Sequence, residues 1–274
     1  MIKKVIFFIS LLLLNNQVFA QQNQNDQKFQ GFNLEGFNDN GDKAWEVNGE
    51  TADIMGEDIK LSNVDANSYG EKHVNLTAET GVINQTSGTM LLEKDVIITS
   101  EDGAQLITDS LDWNREADLV HTDDPVWITD QKINVSGVGM EAHPGLKNAR
   151  IHENVRVTAD VQDKENNTSK VTITSDGPMM IDQSLGLATF KDNVVAISDG
   201  RTLIADEMEV HFNQDMEGIE ELICTGNVEI IQGENKTYAQ KATYDAISKR
   251  LVLSGRPKMI MITEGDDAIT ALRD

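Results

Sequence analysis

The stretch "DNVVAI" (residues 192–197) shows the pattern that decides the fold: an acid or amide, followed by a valine that leads a short strand. The same pattern occurs in "KDVIIT" (94–99), "ENVRVT" (153–158) and "GNVEII" (226–231), and "DPVWI" (124–128) begins in a similar way. Successive leading valines lie 30, 29, 39 and 34 residues apart: Val96, Val126, Val155, Val194 and Val228. This spacing predicts a structural repeat of roughly 30–40 residues.

The segments around these valines alternate apolar and polar residues. In "VTIT" (171–174) and "MEVHF" (208–212) every second residue is apolar, which is typical of a strand with one buried and one solvated face. No segment carries the apolar period of a long amphipathic helix. Each repeat is therefore predicted to be two or three short strands joined by Asn, Asp or Gly turns, and stacked repeats must share a continuous core. We expect an all-β protein.

The charge of the chain excludes several classes of partner. Its 274 residues include 23 basic and 46 acidic residues, which gives a formal charge of −23. Nucleic-acid binding requires a basic face that neutralises phosphates, so no nucleic-acid partner is expected. Charge-driven binding to an anionic membrane surface is disfavoured for the same reason. An apolar partner remains compatible with this composition.

The N-terminus has the pattern of an export signal. Lys3 and Lys4 precede an apolar run over residues 5–14, and Val18-Phe19-Ala20 fits the small-x-small cleavage rule, so residues 1–20 are predicted to be removed. The run is shorter than the roughly 20 residues that span a bilayer, although an uncleaved inner-membrane anchor is the alternative. Loss of the two lysines brings the charge to about −25. Residues 21–38, which start with a polar run, are predicted to be a linker.

One motif suggests a dinucleotide site, but its context does not support this. "INVSGVGMEA" (133–142) contains G-x-G-x-x-A, and such a fingerprint requires a helix directly after the glycines. Pro144 and Gly145 would stop that helix almost as it starts. The glycines therefore predict a bent strand or a close backbone approach.

No other group of residues predicts catalysis or metal binding. The histidines show no i, i+4 pair, and a calcium-like loop at 36–47 lacks acids at its first and last ligand positions. The single cysteine, Cys224, alternates with Leu222 in a strand pattern and is predicted to be a buried apolar residue. We expect no enzymatic activity, no cofactor and no metal.

The order of these motifs resembles that of the periplasmic lipopolysaccharide-bridge proteins. An LptC-like part is carried by "LTAETGVINQTSGTMLLEKDVIITSEDGAQLITDSLDWN" (76–114) and "VSGVGMEAHPGLKNARIHENVRVT" (135–158). A part similar to LptA, also called OstA-like, is carried by "VTITSDGPMMIDQSLGLATFKDNVVAISDGRTLIADEMEVHFN" (171–213) and "LICTGNVEIIQGENKTYAQKATYDAISKRLVLSGRPKMI" (222–260). The polar stretch 159–170 separates the two parts.

The resemblance implies a fold and a set of partners. It implies two consecutive antiparallel β-jellyroll modules, at 39–160 and 168–263, stacked head to tail around an apolar groove and followed by an acidic tail at 264–274. It further implies a periplasmic protein that shields the acyl chains of lipopolysaccharide. Such a protein works between an inner-membrane ABC transporter and an outer-membrane translocon or further bridge modules, joined through strand edges. This chain departs from the family because its N-terminal segment looks cleavable and because both modules share one chain.

The resemblance also implies which side chains line the groove, because the apolar face of each strand lines such a shell. The expected lining residues are Val96, Ile98, Leu111, Trp113, Val155, Val157, Val171, Ile173, Val194, Met208, Val210, Phe212, Val228, Ile230, Leu251 and Leu253. The alternative is that they form an ordinary packed core. In that case the chain is a β-solenoid surface or adhesion protein without a lipid ligand, or, as a third possibility, a solenoid enzyme that degrades polysaccharide.

Overall fold

The structure is a computed structural model that describes residues 27–38, 40–69, 73–114, 117, 119–130, 133–143, 148–162, 168–213 and 218–262. The predicted signal peptide, the start of the predicted linker and the predicted acidic tail lie outside the described residues. The described residues form antiparallel strands and no helix, which confirms the all-β prediction. The chain divides into two compact units, Met1–Glu153 and Asn154–Asp274, and the division falls within one strand.

Each strand of the first unit pairs with its sequence neighbour from β1 through β8. The strands are β1 (Gln27–Phe37), β2 (Lys43–Met55), β3 (Asp58–Tyr69), β4 (His73–Asn84), β5 (Thr89–Ser100), β6 (Gln105–Asn114), β7 (Leu119–Thr129), β8 (Ile133–His143) and β9 (Asn148–Gln162), which continues into the second unit.

In the second unit the later part of β9 pairs with β10, β10 with β12, and β12 through β15 pair in succession. Short β11 also pairs with β12, and β16 and β17 both pair with β15. The strands are β10 (Thr168–Ser175), β11 (Met179–Asp182), β12 (Leu187–Ser198), β13 (Arg201–Phe212), β14 (Ile219–Gln232), β15 (Asn235–Asp245), β16 (Arg250–Ser254) and β17 (Lys258–Ile260).

The structure corrects the prediction that residues 21–38 form a linker, because Gln27–Phe37 are a strand. β1 pairs with β2 over most of its length, with Phe32 opposite Gly49 and Leu34 opposite Val47. A Cβ on Gly49 would lie 2.6 Å from the Phe32 ring, so the missing side chain makes room for the aromatic ring. The polar run at the start of the segment concealed the alternation of Phe32 and Leu34 with polar residues.

The repeated valine motif marks a β-bulge. The strand register shifts between Glu93 and Val96 in β5, between Lys191 and Val194 in β12, and between Thr225 and Val228 in β14. One or two residues directly before Val96, Val155, Val194 and Val228, and the residue before Val64, adopt positive φ, a conformation that favours Gly, Asn and Asp. These residues are Asn63, Lys94, Asp95, Asn154, Asp192, Asn193, Gly226 and Asn227. A bulge bends its strand and increases the local twist.

A line of bulges folds the sheet of each unit over one of its own faces. Val96, Val126 and Val194 are fully buried (0% exposed), and Val155 and Val228 are nearly so. A flat single-layered sheet cannot bury a side chain completely, so the strand halves on either side of each bulge must enclose these valines. We call the line of bulge valines the crease of each unit. The strands run unbroken through the crease, which makes them longer than the short strands predicted.

The G-x-G-x-x-A motif lies inside β8, as the strand interpretation predicts. Gly139 has a positive φ of 70° in mid-strand, and a Cβ there would lie 2.9 Å from Nδ1 of His152. Gly139 thus serves a bend and a close approach to β9, and the motif does not precede a helix.

Candidate functional site

An apolar row crosses the whole sheet of the first unit on the face enclosed by the crease. Its members are directly opposite each other in register, so their side chains lie on one face. They are Leu34, Val47, Ala66, Leu76, Ile98, Leu106, Ile128 and Val135. At the usual strand spacing the row is roughly 33 Å long, and we call it the rim row.

Two more rows lie on the other side of the crease and on the same face. The nearer row contains Phe29, Ala52, Leu61, Gly81, Leu92 and Leu111. The farther row, close to the strand ends, contains Ile54, Ile59, Ile83, Met90, Trp113, Val120 and Ala142.

Burial is deepest at the crease and uneven in the rows beyond it. Val96 at the crease and Leu92 next to it are almost completely buried, whereas Leu76, Ile98 and Leu106 in the rim row are only half-buried. Val47 in the rim row and Trp113 in the farther row are buried as well. The enclosed face is an apolar surface that is packed at the crease and partly open to solvent along most of the rim row, and we call it the groove of the unit.

The second unit repeats this arrangement. Its rim row runs through Val157, Ile173, Ala196, Leu203, Ile230, Thr237 and Met259. The rows beyond its crease are Met179, Phe190, Met208, Cys224, Ala242 and Leu253, and then Ile181, Ala188, Val210, Leu222, Tyr244 and Leu251. Exposure rises toward the last strands, where Leu251 and Met259 are exposed.

The structure places all of the predicted lining residues on these enclosed faces. The first unit contains Val96, Ile98, Leu111 and Trp113, and the second contains Val155, Val157, Val171, Ile173, Val194, Met208, Val210, Phe212, Val228, Ile230, Leu251 and Leu253. The two sets belong to separate units. The burial of these residues varies with their position. The crease valines are buried, whereas Ile98, Val157 and Ile230 are half-buried.

Sequence reasoning predicted no lining residue on β1 to β4, β7 or β8, although all of these strands contribute to the enclosed face. Val64 follows Asn63, which has a positive φ of 49°, and Val64 is buried at the crease. The Asn-Val pair in "SNV" (62–64) is the signal that could have revealed this bulge. The same pair at 134–135 lies in a regular part of β8, so the dipeptide alone is not sufficient.

The few polar groups on the enclosed faces are mostly paired or chemically inert. The hydroxyls of Thr108 and Thr122 lie 3.3 Å apart and are both buried. Cys224 is buried as predicted, and burial raises the pKa of its thiol to about 12. One group differs: Nε1 of Trp113 is buried and has no hydrogen-bond partner among the described residues.

The outward side of the crease is strongly acidic in the first unit. Around the bulge of β5 an open depression is lined by Glu93, Lys94, Asp95, Asp109, Ser110 and Asp124. The Ser110 hydroxyl donates to Asp124 at 2.6 Å. The bulge thus separates an apolar inside from a carboxylate-rich outside. Across the part of the chain that the structure describes, no group of His, Cys, Asp and Glu could hold a metal ion.

Comparison with known protein families agrees with this geometry. The family model "Lipopolysaccharide-assembly, LptC-related" matches residues 5–160, which is more than half of the chain. The chain belongs to the LptC-related family. Residues 172–273 match a second model, "LptA/(LptD N-terminal domain) LPS transport protein". No individual curated protein matches the sequence.

The matches confirm the resemblance inferred from sequence, with an LptC-like module followed by an LptA-like one. This LptC-related chain therefore has a role in lipopolysaccharide assembly and transport, and the matched families consist of envelope transport proteins. Among the described residues, no helix is long and apolar enough to cross a membrane.

Proposed function

We propose that the chain is a non-catalytic, periplasmic lipopolysaccharide-binding protein whose two grooves shield acyl chains on the way from an inner-membrane ABC transporter to the outer membrane. The observation that supports this most strongly is the half-open apolar rim row, which crosses every strand from β1 to β8 and has a counterpart in the second unit. Because the row runs across the strands, a lipid can move along it from strand to strand.

The hydrophobic effect supplies the affinity. Each CH₂ group removed from water contributes about 0.8 kcal/mol, so a dozen-carbon chain gains up to ~9 kcal/mol if it is fully covered. The phosphorylated sugars stay in solvent, because an apolar groove cannot offset the desolvation of a phosphate. Binding of this kind is passive, so directional movement requires an ATP-driven partner.

The exposed final strands support pairing with a neighbouring protein. β16 and β17 both pair with β15, and their outer edge has no strand partner among the described residues. Large apolar side chains are exposed on and after them: Leu251, Val252, Met259, Ile260, Met261 and Ile262. An open edge with such residues accepts another strand by β-augmentation. We propose that β1 faces the inner-membrane transporter and that β16 and β17 face the outer-membrane translocon or a further bridge module.

Neighbouring isoleucines on opposite faces provide the decisive experiment. Ile98 and Ile230 lie in the rim rows, whereas Ile97 and Ile231 lie on the outer faces, and all four are half-buried. The double variant Ile98→Asp/Ile230→Asp is expected to lose co-elution with lipopolysaccharide on size exclusion by at least about tenfold, because a carboxylate in the groove repels acyl chains. The control Ile97→Asp/Ile231→Asp is expected to retain the lipid.

The control variant tests for a general loss of folding, because both double variants carry Ile→Asp changes at adjacent positions of the same two strands, β5 and β14. Circular dichroism would establish that both variants keep their β-structure. Equal lipid binding by both variants, or no lipid on the wild-type chain, would contradict the groove and favour a solid-core β-solenoid that lacks a lipid ligand.

A further inference from the structure

An unpaired hydrogen-bond donor lies on the enclosed face of the first unit. Trp113 is 7% exposed, and its Nε1 has no acceptor. The indole N–H can only donate, and a buried donor without an acceptor costs free energy comparable to a lost hydrogen bond. Phenylalanine would fill the same place without this cost. An acceptor for the indole N–H of Trp113 must therefore come from something other than the described residues.

The donor is distinctive among the described residues. The other buried polar atom without a partner, Oδ1 of Asp53, belongs to a carboxylate on the outer face whose second oxygen accepts from Lys28 at 3.3 Å. The enclosed face of the second unit has no such atom in its described part. The enclosed face of the first unit thus carries one buried donor that is left without an acceptor, and the described part of the second unit has no counterpart.

The position of Trp113 indicates which part of a ligand it meets. Along β6, Thr108 lies at the crease, Leu111 follows, and Trp113 is next to the strand end at Asn114. Its row neighbours, Met90 and Val120, are half-buried. An acyl chain directed toward the crease has its junction with the head group at this outer row. The acceptor there is an uncharged carbonyl, because an uncharged donor in an apolar setting cannot offset the desolvation of a phosphate.

We propose that Trp113 is a specificity-determining residue whose indole N–H donates to the carbonyl oxygen of the ester or amide that joins an acyl chain to its head group. This rests on the proposed groove function. The first unit would then hold the lipid in a defined position, whereas the second unit would accept apolar chains irrespective of their linkage.

Two uncharged probes with dodecyl-length chains and disaccharide heads test the proposal: sucrose monolaurate, which has an ester carbonyl, and dodecyl maltoside, whose glycosidic linkage has no carbonyl; we call them the ester and the ether probe. Calorimetry below micelle formation would use the chain purified after export. Trp113→Phe removes the N–H and keeps an aromatic ring. Trp127→Phe is the matched control, since Trp127 is 49% exposed and lies on the outer face opposite Ile107.

The wild-type chain and Trp127→Phe are expected to bind the ester roughly tenfold more tightly than the ether, as one net hydrogen bond predicts. Trp113→Phe is expected to lose this preference through weaker ester binding while its affinity for the ether stays unchanged. A preference that persists in Trp113→Phe, or no preference in the wild type, would overturn the proposal. Failure of the wild type to bind either probe would overturn the groove function as well.

A measurement on the unmodified side chain covers the case in which Trp113→Phe does not fold. The chain has three tryptophans, so ¹⁵N-labelled protein has three indole N–H resonances, which Trp127→Phe and Trp45→Phe assign by elimination. The Trp113 resonance is expected to move downfield with sucrose monolaurate and much less with dodecyl maltoside. Identical responses to the two probes would count against a carbonyl contact.

Discussion

Residues before the crease valines show how a single backbone conformation shapes the protein. Lys94 has a φ of 65° although lysine has no special preference for this region. Its ion pair with Glu79, at 3.6 Å, is exposed and contributes little. The bend of β5 is thus maintained by the surrounding sheet at the cost of local strain.

Substitutions of Lys94 are expected to change the free energy of unfolding in opposite directions, according to how well the new residue tolerates positive φ. Lys94→Val should destabilise the protein by about 1–2 kcal/mol, because a β-branched residue disfavours positive φ, and Lys94→Gly should be neutral or stabilising by up to about 1 kcal/mol. The midpoint of urea unfolding measures both. A Val variant as stable as the Gly variant would show that this residue is not strained.

Cys224 provides a probe of the second unit. Burial raises the pKa of its thiol to about 12, so the reactive thiolate is scarce in the folded state at any pH below this value. Alkylation by iodoacetamide is expected to be slow at pH 8, to remain slow at pH 9–10, and to become fast in urea. Rapid alkylation of the native chain at pH 8 would disagree with a packed crease.

The contribution of the sequence is clearest for individual residues. The valine motif predicted that Val96, Val155, Val194 and Val228 begin strands and face inward. These valines are among the most buried residues. The motif could not predict that the preceding acid or amide adopts positive φ, because the same residue types also form ordinary turns. The sequence pattern could not distinguish rim-row residues from crease residues either, because Ile98 and Val96 occupy the same alternating face of β5 but differ in burial.

At the scale of elements, the edge strand β1 depends on polar contacts as well as on pairing. Nζ of Lys43 in β2 donates to Glu35 in β1 at 2.6 Å and to Glu46 at 2.7 Å, and the Tyr69 hydroxyl donates to Glu46 at 3.0 Å. These contacts raise the pKa of Lys43, chiefly through the hydrogen bond to Glu35, and lower the pKa of Glu46, chiefly through the hydrogen bond from Lys43.

The lowered pKa of Glu46 predicts that acid loosens the contact between β2 and β3, where Glu46 accepts from Tyr69. A lowered carboxyl pKa stabilises the folded state above the ordinary value near 4.5, and this contribution is lost as the pH falls through the lowered value. The raised pKa of Lys43 has an effect only in strong alkali. Hydrogen exchange of the amides around Glu46 and Tyr69 is therefore expected to lose protection below about pH 4.5 relative to β5.

Lys43→Met is the control for this prediction. It removes the main cause of the lowered Glu46 pKa, so the amides around Glu46 and Tyr69 should respond less to acid, and β1 should be less protected at neutral pH because Glu35 loses its partner. An acid response that is unchanged in Lys43→Met would assign the loosening to other carboxylates.

Sequence reasoning had more success with interior strands than with edges. β5, β12 and β14 carry strong alternation, whereas β1 combines Gly31 and Gly36 with a polar start. Edge strands are weakly patterned because they have one partner and more solvent on both faces. The pairing of β1 with β2, in which Phe32 lies opposite Gly49, could therefore not be predicted from the sequence.

At the scale of the whole molecule, the presence of a rim row in each unit predicts an additive stoichiometry, on the proposal that each unit binds lipid by itself. Ile98→Asp alone and Ile230→Asp alone are each expected to retain about half of the lipid bound per chain, and the double variant should retain almost none, because the effects of uncoupled sites add. Quantifying phosphate in the size-exclusion peak measures this ratio. Complete loss in either single variant would mean that one groove governs the other.

The succession of bulged strand pairs has a consequence for how such proteins change in size. Each hairpin brings its own bend, its own crease valine and its own section of apolar lining, and it pairs mainly with the hairpins next to it. Duplication or deletion of one hairpin in the gene would lengthen or shorten the groove by about 10 Å without altering its cross-section. The distance that such a protein spans can therefore evolve in small steps while the chemistry of its interior remains the same.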